Sequence, residues 1–208
     1  MVSKPISVGI CALCGQQASK AKMLAHLAIC IPAHTTTDIS GKAVLFRFEA
    51  EGEPRYWIIM AARAKATLRQ IDAVLRDLWL ECCGHMSAFY VARHEITMRA
   101  VAGDVFRAGS AKVHYEYDFG STTSLVGHFL DSRSGFAGGG PVRLLARNEP
   151  LHWLCAECAE PATVVCPYCV EADGLYCNRH AEAHEHAAEE AYLPVVNSPR
   201  MGVCGYTG

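Results

Sequence analysis

The spacing Cys155-x2-Cys158-x7-Cys166-x2-Cys169-x7-Cys177-x2-His180-x3-His184-x-His186 constrains this chain more than any other feature. A Cys-x2-Cys turn aims two sulfurs at one point, and further thiolates or imidazoles complete a tetrahedral shell of four. Eight such residues describe two zinc sites, and two pairings are open. In the sequential one, Cys177, His180, His184 and His186 share an ion. On a continuous helix His186 would lie about 180° from Cys177, so the helix must break first. In the interleaved one, Cys155, Cys158, Cys177 and His180 hold one ion, and Cys166, Cys169, His184 and His186 hold the other. Each site then uses two local pairs, and His184-x-His186 needs only extended backbone, so geometry favours this cross-brace. His152 is a competing ligand for either site.

A further set opens the chain as Cys11-x2-Cys14-x11-His26-x3-Cys30. The x3 spacing is one helical turn, so His26 and Cys30 project from the same face. Ala21, Met23, Leu24, Ala25, Leu27 and Ala28 favour a helix there. The pattern is that of a CCHC zinc finger, with His34 outside it as a solvated loop residue. Together the sets imply three zinc ions per chain. Each site is saturated by four protein ligands, which is structural rather than catalytic coordination, since a catalytic zinc keeps a position for water.

Metal binding fits the rest of the composition. The start MVSKPISVGICALC lacks the apolar run of a signal peptide, and no stretch reaches the ~18 apolar residues of a membrane span. A cytoplasmic location follows, where disulfides are rare and the 11 cysteines read as thiols and ligands. Lysine and arginine number 19 against 21 acidic residues, so total charge argues for neither nucleic acid nor membrane. The ends differ in sign. Residues 1–36 carry Lys4, Lys20 and Lys22 and no carboxylate side chain; residues 151–190 carry one arginine against eight acidic residues. The acidic module suits a protein partner, while the basic finger offers a weak contact for nucleic acid.

Three segments result: a CCHC finger over 1–36, a globular domain over 40–149, and a double-zinc module with tail over 150–208. In the middle, residues 43–50 and 55–62 read as strands joined by Glu51-Gly52-Glu53-Pro54. Leu68, Ile71, Val74, Leu75, Leu78, Trp79 and Cys82 form a helical stripe, opened by a Thr67/Gln70 capping box and stopped by Gly84. Residues 87–96, 112–119, 124–130 and 141–148 are further strands, with a hinge over 134–141. The expected class is α+β: a small, mostly antiparallel sheet with a packed helix, flanked by the two zinc modules.

Other chemistry is thin. Asp118-Phe119-Gly120 matches a kinase tripeptide without the partner motifs of a kinase. Gly138-Gly139-Gly140 lacks the lysine of a P-loop. His85, His94, His114 and His128 read as structural. Cys82 and Cys83 read as thiols at a helix end, and Cys204 as a free thiol or a late addition to the module.

The segments YWIIMAA, TLRQIDAVLRDLW, HMSAFYV and VHYEYDFGSTTSLVGHFL resemble the plasmid pRiA4b ORF-3-like family, known also as a TnpR-like passenger of insertion elements. The matching positions are Thr67, Leu68, Ile71, Asp72, Leu75, Arg76, Trp79, His85, Ser87, Phe89, Tyr115, Tyr117, Asp118, Phe119 and Gly120. Many members continue with an Asp/Trp/His segment where this chain has Ser121-Thr122-Thr123. The likeness spans residues 43–208 and is greatest to a subgroup with a cysteine-rich tail, in which cysteines often stand where His180 and His186 stand here. It implies an α+β core and supplies no activity. The C-terminal spacing also resembles B-box-like modules, which are usually protein-binding. A non-enzymatic, zinc-binding interaction protein is therefore expected. The alternatives are an enzyme with a site near Asp118, His85 and His114, or a DNA-binding accessory of a mobile element.

Overall fold

A computed structural model describes residues 7–34, 41–107, 109–135, 140–169, 174–189 and 191–208. The glycine-rich stretch 136–139 lies outside them. Strand β4 (Trp57–Arg63) is apolar up to Arg63, and β3 (Lys42–Ala50) is apolar apart from Lys42, Arg47 and Glu49, because both of their faces are buried. Val44, Phe46, Phe48, Ile58, Met60 and Ala62 face one core. Ala43, Leu45, Trp57, Ile59 and Ala61 face another. The two-residue period of a strand divides the run between them.

The first core is closed by α2 (Leu68–Leu75) and the π-helical turn that follows it (Arg76–Leu80). Leu68, Ile71, Leu75, Trp79 and Leu80 are all fully buried there. The capping box forms: the Thr67 backbone N–H donates to Gln70 Oε1 at 2.9 Å. The helix stops short of the expected Cys82. At Arg76 the α pattern gives way to the π turn, and its side chain reaches Asp72, Glu81, the His85 carbonyl and Ser87. Gly84 takes a positive φ of 77° in the loop beyond.

The second core is closed by α1 (Lys20–Ala33), which buries Met23 and Leu27 completely. Two such side chains contribute roughly 1.5–3 kcal/mol each. The N-terminal segment also joins the sheet. Strand β1 (Val8–Cys11) pairs with β2 (Gln17–Ser19) on one side and with β9 (Val142–Asn148) on the other. With β5 (Ser87–Val91), β6 (His94–Ile96), β7 (Val113–Tyr117) and β8 (Thr123–Ser134), the sheet has nine antiparallel strands, ordered β2-β1-β9-β4-β3-β8-β7-β5-β6. The short helix α3 (Ala102–Val105) precedes Phe106, whose ring stacks on Phe46 at 4.3 Å. The architecture is α+β with an antiparallel sheet, as the residue pattern implies, but the sheet is large rather than small, because the N-terminal segment adds β1 and β2 to it instead of standing apart.

One expected strand, 87–96, is a hairpin. Ala92 and Arg93 take φ of 48° and 69° and reverse the chain between β5 and β6. Such a turn usually carries Asn or Gly, and neither is present to mark it.

Beyond β9, the C-terminal module is a small sheet of β10 (Val164–Val165), β11 (Leu175–Tyr176) and β12 (Leu193–Pro194) with helix α4 (Asn178–Ala183). Trp153 anchors it: the indole N–H donates to Tyr56 Oη at 3.1 Å, and Arg55 lies over the ring. Among the described residues, no helix is long and apolar enough to cross a membrane.

Gly9 on β1 lies flat against the Trp57 ring and the Arg147 carbonyl, where a Cβ has no room. Gly9→Ala is expected to lower stability by about 1–3 kcal/mol, the range for overpacking. A denaturant midpoint equal to wild type would show that β1 is not seated on the second core.

Candidate metal centres

Four groups of side chains each bring four ligand atoms within 4.8 Å of one another. Zinc–sulfur bonds of about 2.3 Å and zinc–nitrogen bonds of about 2.0–2.1 Å, set tetrahedrally, separate ligand atoms by roughly 3.3–3.8 Å. A disulfide would need about 2.05 Å. These two distances decide the chemistry of each cluster.

In the first cluster, β1 delivers Cys11, and a turn closed by Gly15 N–H to the Cys11 carbonyl brings Cys14 round. Helix α1 presents His26 and Cys30 one turn apart. Cys11 Sγ is 3.8 Å from Cys30 Sγ, and Cys14 Sγ is 3.4 Å from His26 Nε2. Cys11 and Cys30 are buried in the second core, so this site is part of the sheet's cover. His34, expected to be a loop residue, folds back over the helix end. Its Nδ1 lies 3.0 Å from the Cys30 carbonyl and 3.5 Å from Cys30 Sγ. A carbonyl only accepts, so Nδ1 carries the proton. Burial, then the neighbouring Cys14 and Cys11, push the Cys30 thiol up to about 12.

The C-terminal residues assemble in the interleaved pattern. Cys155, Cys158, Cys177 and His180 form one cluster; Cys166, Cys169, His184 and His186 form the other. In the former, His180 Nδ1 lies 3.3 Å from Cys155 Sγ and 3.5 Å from Cys177 Sγ, and Cys158 is 4.0 Å from Cys177. Cys177 stands at the N-cap of α4, which turns His180 onto the same point. Burial opposes the Cys155 thiolate, but the backbone N–H groups of Cys177 and Glu157 and the His180 ring outweigh it, bringing that thiol down to about 6.

In the latter, α4 ends at Ala183 and His184 is extended, with φ −74° and ψ 149°. This break lets two histidines two residues apart converge. His184 Nε2 and His186 Nδ1 are 3.2 Å apart, and each is 3.4 Å from Cys169 Sγ. Cys166 Sγ is 3.5 Å from His186. Gly174 packs on the Cys169 backbone so closely that a Cβ would strike it at 2.7 Å. His152 belongs to neither cluster; it lies in a cleft of about 230 Å³ beside Arg55 and Glu149.

Three ions were expected, and a fourth cluster adds to that number. Cys82, Cys83, His85 and Cys204 meet at the end of the π turn. Cys83 Sγ is 3.6 Å from Cys82 Sγ, 3.7 Å from Cys204 Sγ and 2.9 Å from His85 Nε2, and the latter is 3.2 Å from Cys204. Reading Cys82 and Cys83 as helix-end thiols and Cys204 as undecided missed this, because the cluster joins segments 119 residues apart and has no spacing motif. The available signal was the remainder: the three cysteines unused by the other sets are the ones gathered here. Hydrogen bonds from Cys82 and Cys204 push the Cys83 thiol up to about 12.

Of the residues proposed for an enzyme, Asp118 and His85 do approach, with Oδ1 and Nδ1 3.5 Å apart, while His114 lies away near Glu51. Asp118 is otherwise occupied. Arg200 donates to its Oδ2 at 2.6 Å and the Gly120 N–H to its Oδ1 at 3.0 Å. The arginine, with these backbone donors, holds the Asp118 carboxyl down at about 2. It has no proton to give near neutral pH.

No protein-family model and no curated protein matches the chain. Among solved structures, a protein of unknown function, MM3350 from Methanosarcina mazei Go1, is similar over 51% of this chain and 68% of its own, with a TM-score of 0.45 and 14% identity. That likeness carries no argument about function, so ligand pairing rests on this chain alone. Native mass spectrometry of the zinc-loaded protein is expected to show one ion lost in Cys155→Ser, one lost in Cys155→Ser/His180→Ala, and two lost in Cys155→Ser/Cys166→Ser. Two ions lost from the second variant would mean that Cys155 and His180 serve different sites.

Proposed function

We propose that this chain is a zinc-stabilised interaction protein with no catalytic chemistry of its own, binding one zinc in the N-terminal set and two in the C-terminal module. The observation that carries this is the closed shell: Cys11, Cys14, His26 and Cys30, and each interleaved C-terminal set, supply four ligand atoms at zinc-compatible separations. Four protein ligands leave no position for a substrate or an activated water. Thiols at these spacings suit a reducing compartment, and a cytoplasmic location goes with the proposal.

The partner we favour is a protein with a basic face. Glu157, Glu160, Glu182, Glu185 and Glu189 are exposed on the C-terminal module, as is Arg179. Tyr168 and Leu154 add exposed apolar surface. Nucleic acid is less well served. Lys20, one of the finger's three lysines, is bound to Glu49 at 2.7 Å and to the Pro54 carbonyl at 2.9 Å. Lys22 is exposed, and Lys4 lies outside the described residues.

The resemblance to pRiA4b ORF-3-like proteins stands within this proposal as a statement about the core. Its residues Asp72, Arg76, Ser87 and Tyr115 form one polar network: Ser87 and Tyr115 donate to Asp72 Oδ1 at 2.6 and 2.8 Å, and Arg76 to Oδ2 at 3.1 Å. A mobile-element role would rest on that resemblance alone.

Two measurements test the proposal. Chelation is expected to remove zinc and leave both ends open to protease, because binding energy at such sites is folding energy. Unchanged circular dichroism and proteolysis after EDTA would overturn the zinc reading. A fluorescent lysine- and arginine-rich peptide should bind in a salt-sensitive way. Changing Glu182, Glu185 and Glu189 to Lys should weaken it about tenfold, at about 0.5 kcal/mol for each exposed pair. Equal affinity in the triple variant would remove the acidic module as the docking face.

A further inference from the structure

We propose that Cys82, Cys83, His85 and Cys204 bind a fourth zinc ion, and that this ion clasps the C-terminal tail to the end of the π-helical turn. The inference is independent of the two ends of the chain, since none of its ligands belongs to the other sets.

Four observations converge. The ligand atoms form a Cys3His shell with sulfur–sulfur separations of 3.6 and 3.7 Å, close to those of tetrahedral zinc and too long for a disulfide. His85 is oriented as a ligand, because Nε2 points at the thiols while Nδ1 faces the Asp118 carboxylate, the carboxylate–histidine–metal arrangement that fixes a tautomer. The loop bearing Cys82, Cys83 and His85 is shaped from outside the cluster. Glu81 accepts from the Gly84 N–H and from Tyr117 Oη, and Arg76 holds the His85 carbonyl. Finally, Cys204 sits at φ +51° between Gly202 and Gly205, a left-handed conformation that a non-glycine residue keeps only where its surroundings hold it.

The tail has a reason to be clasped. After β12 it contains no further regular element, yet it inserts Arg200 into the interior. Ser198 Oγ donates to the Trp79 carbonyl at 2.6 Å, and Arg200 reaches Asp118, the Ser121 carbonyl and Thr123 Oγ1. Cys204 follows four residues later and returns the chain to the segment that Ser198 left. Zinc at this point would join residues far apart in sequence, since His85 and Cys204 are separated by 119 positions.

The test uses full-length protein purified without chelator. Native mass spectrometry should find one zinc fewer in Cys204→Ser and in His85→Asn than in wild type. Carboxypeptidase should trim the tail of each variant several-fold faster than wild type, with the Cys11 and Cys155 sites still loaded. Cys204 is exposed, so its serine variant is expected to fold; His85→Asn is a second variant that leaves the tail's own residues intact. Equal zinc content in wild type and both variants would overturn the clasp while leaving the end sites standing. A wild-type mass short by two hydrogens, mapped to a Cys83–Cys204 disulfide, would overturn it as well. Absence of zinc from the Cys11 and Cys155 sites, with one ion lost on Cys204→Ser, would instead sink the proposed function and keep the clasp.

Discussion

The double burial of β3 and β4 is the constraint from which the rest of the molecule follows. A strand apolar on both faces needs two covers. Helix α2 and the π turn supply one, through Leu68, Ile71, Leu75, Trp79 and Leu80. The other comes from the N-terminal segment, through Met23 and Leu27 of α1. A metal held by Cys11, Cys14, His26 and Cys30 would fix α1 over the sheet. The sulfurs of Cys11 and Cys30 are themselves packed in the second core, so coordination would act on atoms that hydrophobic burial already places.

The C-terminal module has the opposite balance. Its buried cluster consists of Cys155, Cys166, Tyr176, Cys177 and Ala181, with Cys158 and Cys169 packed against it. Most of that core is ligand. Segments this short cannot bury enough apolar surface to offset chain entropy, and a metal held by these ligands would replace the missing core. The strands β10, β11 and β12 are two residues each, too short to hold a register alone. Thus the same ligand chemistry would serve as clamp at one end and as core at the other.

Local features were legible in the residues, and long-range ones were not. The α2 stripe, the Thr67/Gln70 box and the strands at 43–50 and 141–148 follow from period and capping, which need only near neighbours. The interleaved C-terminal grouping was accessible because helix geometry penalises the sequential one. The Ala92-Arg93 turn was hidden, since neither residue advertises a positive φ. The seating of α1 on the sheet was hidden too. The unbroken apolar run of β4 stated that both faces are covered, but not by what. The fourth cluster lay beyond spacing arguments, because its ligands meet only after the tail has returned to the π turn.

Asp118 shows how a motif residue can be misread when its partner is distant. Beside Phe119 and Gly120 it suggested chemistry at a strand end. Its left-handed φ of 64° and its carboxylate are explained instead by Arg200, 82 residues away. A buried charge pair is costly unless both ions are fully hydrogen-bonded. Arg200 meets that condition in part through Ser121 and Thr123, and Tyr117 lies under the guanidinium at 4.8 Å. The sharp turn at Asp118 is what aims the carboxylate both at the arginine and at His85. Removing the arginine would leave the buried carboxylate without its charge partner at Oδ2, held at Oδ1 by the Gly120 N–H and His85. The tail therefore belongs to the folded core, and the segment from Tyr117 to Thr123 forms the seat into which Arg200 fits.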